Sequence, residues 1–326
     1  MTVSIAPIRE FLWVVKESAL GTPMASPTAG TDSIFIHLVE GNSFDMTAKP
    51  LKIKLPYGGG FAVTRQTISD RYELKGNLKT KLYPSQAQML LDWATTRITS
   101  VPAPWTTSEI IGDLASCSLF HGYTQNNTAF LKKQYGGCKV GSAGIEIGTE
   151  ATVASLTMGL QAATVTAFGT NSGDPTTTLP TEADYPSGPY SFVGTAGLLS
   201  IASTRTNYSS LSIKFENKLD PQWYETAGLS TLGCYGRDST LEAMIRLKPS
   251  PDDRIAYELL TAQAVSVGLV GGGHTLTLTY NGQNITDDYA RDLALGKAFS
   301  AKLSLLNQWD PAANSGAGGD FSFAIA

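Results

Sequence analysis

The chain has 326 residues and a formal net charge of −4, and only 16% of its residues are charged, against roughly 25% in ordinary soluble proteins. That length allows two domains with sizeable cores. The acidic balance, without any basic run or basic-aromatic platform, excludes a nucleic-acid reader. The longest early apolar run, Phe11–Val15, is too short for a signal-peptide core or a membrane span. Thirty-six threonines and 32 glycines bias the chain towards strands and turns. Few charges point to a surface covered by neighbouring subunits, although a threonine-rich surface also serves.

In chain order, Arg9–Ser18 reads as an extended arm that ends in a turn at Gly21-Thr22-Pro23. Strands follow at Ser33–Glu40, Leu51–Leu55 and Phe61–Arg65. Arg71–Tyr83 then alternates strictly. Leu74, Gly76, Leu78, Thr80 and Leu82 fall on one side, and Glu73, Lys75, Asn77, Lys79, Lys81 and Tyr83 on the other, as in a strand with one buried and one wet face. Pro84-Ser85 opens a helix, Ser85–Arg97, with the apolar stripe Ala87, Leu90, Leu91, Ala94 and with Met89 and Trp93 beside it. Strands at Cys117–Tyr123, Ala129–Tyr135, Lys139–Ile147 and Ala151–Leu160 complete a first half. Four prolines and a threonine run make Asn171–Pro189 the expected boundary. The division is 1–170, with the N-terminal arm, then a linker at 171–189, then 190–326. The second half offers strands at Leu198–Thr204, Ser209–Asn217 and Thr240–Lys248, a helix at Pro251–Ala264, and strands at Val265–Val270, His274–Tyr280, Ala298–Asn307 and Phe321–Ile325.

The halves share a grammar. Lys81-Leu82-Tyr83-Pro84-Ser85 returns 165 positions later as Arg246-Leu247-Lys248-Pro249-Ser250. The second helix opens on Asp252 and Asp253, acids that its dipole favours, and its stripe is Ile255, Leu259 and Ala262 with Ala256 and Leu260 alongside. Tyr135–Val140 parallels Tyr280–Ile285. Ile147-Gly148 before Ala151–Leu160 parallels Leu295-Gly296 before Ala298–Leu306. Four such pairs in the same order argue for internal duplication.

Chemistry is sparse. His37, His121 and His274 lack cysteines or acids at ligand spacing and read as surface or hydrogen-bonded histidines. Gly271-Gly272-Gly273-His274 has no following Lys-Ser/Thr and reads as a hairpin turn rather than a phosphate cradle. Asp287, Asp288 and Asp292 do not match a calcium loop and read as solvated loop. Cys117, Cys138 and Cys234 lack metal spacing and read as buried thiols of a reducing compartment. Of Trp13, Trp93, Trp105, Trp223 and Trp309, most have apolar neighbours and read as core. The triplets at Asn126, Asn207 and Asn284 match the glycosylation sequon but lack a secretory context. No serine occupies a nucleophile elbow. No catalytic, cofactor or metal site is expected, so an enzyme on a β scaffold ranks last.

The order of these elements resembles the major tail tube proteins of long-tailed bacteriophages. The resemblance rests on Lys16-Glu17-Ser18 with Gly21-Thr22-Pro23, the helix after Tyr83-Pro84-Ser85, Tyr135-Gly136-Gly137-Cys138-Lys139-Val140, Ile213–Leu219, and Ala298–Asn307 followed by Trp309-Asp310-Pro311. It covers nearly the whole chain but is carried by pattern rather than by invariant residues. It implies a mainly β fold of tandem β-sandwich halves, each with a flanking helix, whose inner sheets join those of other subunits into a large barrel. Stacked head to tail, such rings form the hollow tail that delivers DNA.

One tube domain is about half this length, so duplication implies rings of three chains with pseudo-six-fold symmetry, or six chains if the halves are merely two sheets of one domain. The implied partners are copies of the chain and the tape measure, tail terminator and distal tail proteins, with DNA as passing cargo and no membrane. The implied location is the virion tail, assembled in the host bacterial cytoplasm. The wet face of Arg71–Tyr83 or that of Ser209–Asn217 is expected to line the lumen, neutral or acidic so that DNA slides. The alternative is a surface β-sandwich adhesin or carbohydrate-binding virion protein.

Overall fold

The structure is a computed structural model. It describes residues 9–36, 44, 46–56, 62–95, 97–98, 113–125, 128–148, 153–167, 188–191, 199–205, 208–222, 231–246, 258–292, 300–307 and 320–326. These residues form nineteen strands and one helix. In chain order the first strands are β1 (Arg9–Ala19), β2 (Thr22–Pro23), β3 (Ser33–Ile36), β4 (Thr47–Pro56) and β5 (Ala62–Lys81), followed by α1 (Pro84–Thr95). Next come β6 (Arg97–Ile98), β7 (Asp113–Leu114), β8 (Cys117–Gln125), β9 (Thr128–Ile147), β10 (Ser155–Ala162) and β11 (Thr164–Ala167). The remainder are β12 (Leu199–Ile201), β13 (Ser203–Arg205), β14 (Tyr208–Gln222), β15 (Thr231–Arg246), β16 (Gln263–Gly271), β17 (His274–Asp292), β18 (Ser300–Leu306) and β19 (Phe321–Ile325).

Hydrogen bonding arranges most of them in one long antiparallel sheet and two flanking ones, while β2 pairs with β1 and β6 with β7 in a separate two-stranded sheet. The long sheet runs β4–β5–β10–β9–β14–β15–β18–β17. The first flanking sheet is β3–β1–β8–β9–β11, and the second is β13–β12–β16–β17–β19. The strand order of each second set copies that of the first. β9 and β17 serve two sheets each. β9 leaves its flanking sheet after Cys138 and joins the long sheet at Lys139, and β17 does the same between Asn284 and Ile285. Inward side chains of all three sheets belong to one buried cluster, among them Leu12, Leu119, Leu78, Met158, Ile213, Leu241, Val267 and Leu278.

Several sequence expectations merge or move. Phe61–Arg65 and Arg71–Tyr83 fall largely within the single bent strand β5, whose pairing steps from Tyr72 to Ile68 against Pro50 and Leu51. The segment read as an arm is the strand β1, hydrogen-bonded to β3 on one edge and β8 on the other. Leu198–Thr204 is two short strands, because Ala202 takes a positive φ of 56° and turns the chain. The match of Val140 with Ile285 is off by one. Tyr135 and Cys138 face Leu119 and Cys117, whereas Tyr280 and Asn284 face Val265 and Gln263, so the β17 bulge holds one extra residue.

The helix Pro84–Thr95 ends two residues earlier than the sequence pattern implies, and Arg97 lies in β6. Its stripe is buried as expected, and Trp93 at its shoulder donates Nε1–H to the carbonyl of Cys138 at 3.0 Å. Of the helix expected at Pro251–Ala264, residues 251–257 lie outside the described set. Glu258 is helical, but Leu260 has a positive φ of 50° and Gln263 and Ala264 already belong to β16. Leu259 and Leu260 are exposed rather than part of a buried stripe.

Residues 171–187 of the expected linker also lie outside the described residues. The chain just beyond it is firmly held. Tyr190 is fully buried, donates its N–H to Leu82 and accepts from Ala154, each at 2.8 Å, while Ser191 bridges to Val270. Gly271 makes this approach possible, since a Cβ there would stand 2.6 Å from the Pro189 carbonyl oxygen and 2.7 Å from the Tyr190 Cα. Gly271→Ala is therefore expected to cost about 1–3 kcal/mol of overpacking, read as a lower urea midpoint with unchanged m.

Candidate functional surface

The long sheet has one apolar and one polar face, and the alternation of its strands decides which residues reach each. On β5, Leu74, Leu78 and Thr80 are buried while Lys75, Asn77, Lys79 and Lys81 are exposed. On β14, Leu211, Ile213 and Phe215 are buried while Ser210, Lys214, Glu216 and Lys218 are exposed. The two wet faces that the sequence offered as alternatives lie on the same side of one continuous sheet, bridged by β10 and β9. Two shallow grooves lie along this face. One is lined by Lys79, Lys81, Glu146, Glu242 and Lys302, and the other by Asn77, Ser142, Glu216 and Lys218.

The described charges of this face are interleaved. Lys75, Lys79, Lys81, Lys214, Lys218 and Lys302 stand against Glu73, Glu146, Glu216, Asp238 and Glu242, a balance of six to five. Four ion pairs consume much of it: Lys75–Glu73 at 2.8 Å, Lys218–Asp238 at 2.8 Å, Lys214–Glu242 at 3.6 Å and Lys302–Glu242 at 3.5 Å. A hydrogen bond and the charge of Asp238 raise the pKa of Lys218, so that lysine stays protonated beside its partner. Exposed pairs of this kind add little stability. They do cancel field, and small residues such as Ser142, Gly144, Ser155 and Ser210 fill the space between them.

No group of three or more metal-ligating side chains occurs among the described residues. His121 is buried and bonds Glu10, His274 is exposed beside the hairpin turn at Gly272-Gly273, and His37 lies outside the described residues. Asp287, Asp288 and Asp292 lie in β17 and its bulge rather than in a loop. Trp13 and Trp93 are core residues, and Trp105, Trp223 and Trp309 lie outside the described set. Cys117 and Cys138 are buried and free, facing each other across β8 and β9, and Cys234 is half-buried. No helix among the described residues is long and apolar enough to cross a membrane.

Burial, and then the charge of Glu17, push both facing thiols well above their usual range. Unfolded thiols ionise near pH 8.5. Above that pH the unfolded chain binds fewer protons than the fold, so stability falls as pH rises. Tyr280, raised by burial and then by Asp320, joins the loss once unfolded tyrosine ionises near pH 10. Urea titrations are expected to show unfolding free energy declining from about pH 8.5 and more steeply above about pH 10. In Cys117→Ala the slope between those values should be shallower by up to about 1.4 kcal/mol per pH unit.

Two polar clusters went unnoticed in the sequence. Glu17 sits at the β1–β2 turn with four donors, and Arg237 with Asp320 ties the end of α1 to the second set of strands. Their partners are about 100 or more residues away in the chain for most of these bonds, so no local motif marks them.

Among the described residues, the chain is a set of antiparallel sheets packed against one helix, with a broad polar face along the long sheet, an architecture suited to a structural component. Consistent with this, residues 8–320 match the family model for phage tail tube protein. The chain belongs to that family and is a structural protein of the virion tail. A comparison with curated proteins finds no match.

Proposed function

We propose that the chain is a duplicated tail tube subunit, three copies of which close into one ring with pseudo-six-fold symmetry. The reading rests on the family match and one observation, the continuous eight-strand sheet in which β4–β5–β10–β9 is followed by β14–β15–β18–β17. Each half is a β-sandwich of four long-sheet strands beneath one flanking sheet. The hexamer alternative needs the halves to be the two layers of a single sandwich, whereas here both halves contribute to the long layer.

Three chains bring twenty-four long-sheet strands. At about 4.8 Å spacing and a tilt near 40°, these close to a circumference of roughly 150 Å, leaving a channel that passes duplex DNA. The flanking sheets stand outside the barrel and the polar face turns inward. Its interleaved charges let phosphates slide without a clamp. Rings stack head to tail, meet tape measure, terminator and distal tail proteins, and assemble in the host cytoplasm. The subunit does no catalysis.

Electron microscopy and native mass spectrometry of the purified protein test this. Rings or tubes of constant diameter with three chains per ring are expected. Six chains per ring would sink the duplicated trimer and leave the tube, and dispersed monomers that bind glycans would favour the adhesin. Duplex DNA should bind the purified protein only weakly, and micromolar binding with a steep salt dependence would contradict the conduit.

A further inference from the structure

The long sheet ends on two strands that each have a single neighbour in it among the described residues, β4 beside β5 and the C-terminal part of β17 beside β18. Such edges pair with whatever strand they meet unless they are covered. We propose, resting on the tube reading, that β4 of one copy pairs antiparallel with β17 of the next, with Thr47 opposite Ala290 and Lys49 opposite Asp288.

The register comes from the seam already inside the chain. β9 and β14 join the two sets of strands through six antiparallel pairs, from Leu211↔Ile147 to Glu216↔Ser142, including Lys214↔Gly144. In the repeated strand order β17 occupies the place of β9, and β4 the place of β14. Two independent features align the copies. The β9–β10 pairing skips Gly141, and the β17–β18 pairing skips Asp287, so those positions correspond and Gly144 maps to Ala290. On the other side, Lys81 faces Ser155 and Arg246 faces Ser300, each at the same end of its ladder, which maps Lys75 to Thr240. Thr47 faces Lys75 and Lys214 faces Thr240, so Thr47 maps to Lys214. The pairing steps after Pro50 in β4 and after Asn217 in β14, three residues beyond Thr47 and Lys214 respectively, which fixes the same alignment.

Carrying the seam across chains turns Lys214↔Gly144 into Thr47↔Ala290 and Glu216↔Ser142 into Lys49↔Asp288. The second pair opposes a lysine to an aspartate, a favourable cross-strand match. The occupant of each edge is thus another copy of this chain, and the internal seam is its template.

Cysteine pairs test the register in assembled protein, in a Cys234→Ser background. Directly opposed residues of antiparallel strands lie about 4.5–5.5 Å apart between Cα atoms, within disulfide range, whereas diagonal neighbours lie about 7–8 Å apart. After mild oxidation, Thr47→Cys/Ala290→Cys and Lys49→Cys/Asp288→Cys should each give a covalent three-chain species on non-reducing gels. Thr47→Cys/Asp288→Cys and Lys49→Cys/Ala290→Cys should link about tenfold less or worse. Tubes that form but link equally well in all four pairs, or best in the diagonal ones, overturn the register and leave the tube standing. A Cys234→Ser parent that is folded but forms no rings overturns the tube reading and the pairing with it.

Discussion

Glu17→Ala is expected to lower the unfolding free energy by about 3–5 kcal/mol, because four donors lose their shared acceptor inside the fold. The side chain is 7% exposed. Its Oε1 accepts from Ser118 Oγ and from the Gly137 N–H, both at 2.7 Å, and its Oε2 accepts from Ser116 Oγ at 2.6 Å and the Gly21 N–H at 2.9 Å. These donors come from three separate places: the β1–β2 turn, the start of β8 and the β9 bulge. One carboxyl group therefore fixes the first flanking sheet to the point where β9 changes sheets. Gly137 is suited to its part, with a φ of +63° and no room for a Cβ, which would stand 2.8 Å from the Ala163 Cβ. Glu17→Gln keeps one acceptor oxygen but places an amide where donors already point, so about half the loss should remain. Urea midpoints of the two variants check this, and an alanine variant within about 0.5 kcal/mol of the parent would show that water replaces the carboxylate at little cost.

How much of this was legible beforehand follows from how local each determinant is. The alternation of Leu74, Leu78 and Leu82 against Lys75, Lys79 and Lys81 is written in adjacent residues, and so is the stripe Ala87, Leu90, Leu91 and Ala94. Both therefore read correctly as a strand with one buried face and as a buried helix. The polar face was half legible: two of its strands were recognised, but only the pairing of β9 with β14 puts them on one surface. The strand β9 reads from sequence as two, Ala129–Tyr135 and Lys139–Ile147, because the bulge at Gly136-Gly137 looks like a turn when its partners are unseen, and the far end of β17 reads as loop at Asp287, Asp288 and Asp292. Only the end of the expected Pro251–Ala264 helix departs from its pattern, beyond the helical Glu258, and for the opposite reason. A helical spacing of Leu259 and Ala262 was present, but the positive φ at Leu260 and the pairing of Gln263 with Asn284 draw the chain into β16.

The other large effect is expected at Arg237. Its guanidinium donates Nε–H to Asp320 Oδ2 at 2.9 Å and Nη2–H to Oδ1, a bidentate pair with side chains only 5% and 11% exposed. A further donor, Nη1–H, reaches the Thr95 carbonyl at 2.6 Å in the last turn of α1, where a cation also meets the negative end of the helix dipole. Asn217 reinforces the contact by donating to the carbonyls of Ala94 at 2.9 Å and Val140 at 2.8 Å. Asn307 closes the cluster through Ser239 Oγ at 3.0 Å. Residues of the second set of strands thus cap a helix of the first, and the two sets are joined by polar bonds as well as by the β9–β14 seam. Arg237→Ala leaves a buried carboxylate without its cation and a helix end without its cap, which should cost about 3–5 kcal/mol. Asp320→Ala strands the guanidinium and should cost a similar amount. Arg237→Met/Asp320→Leu removes both charges, fills part of their volume and should cost markedly less than the two single losses added together, since most of each penalty is an uncompensated charge. A urea double-mutant cycle over Arg237→Met, Asp320→Leu and the double variant of the purified protein measures this. Strict additivity would show that the two residues act separately.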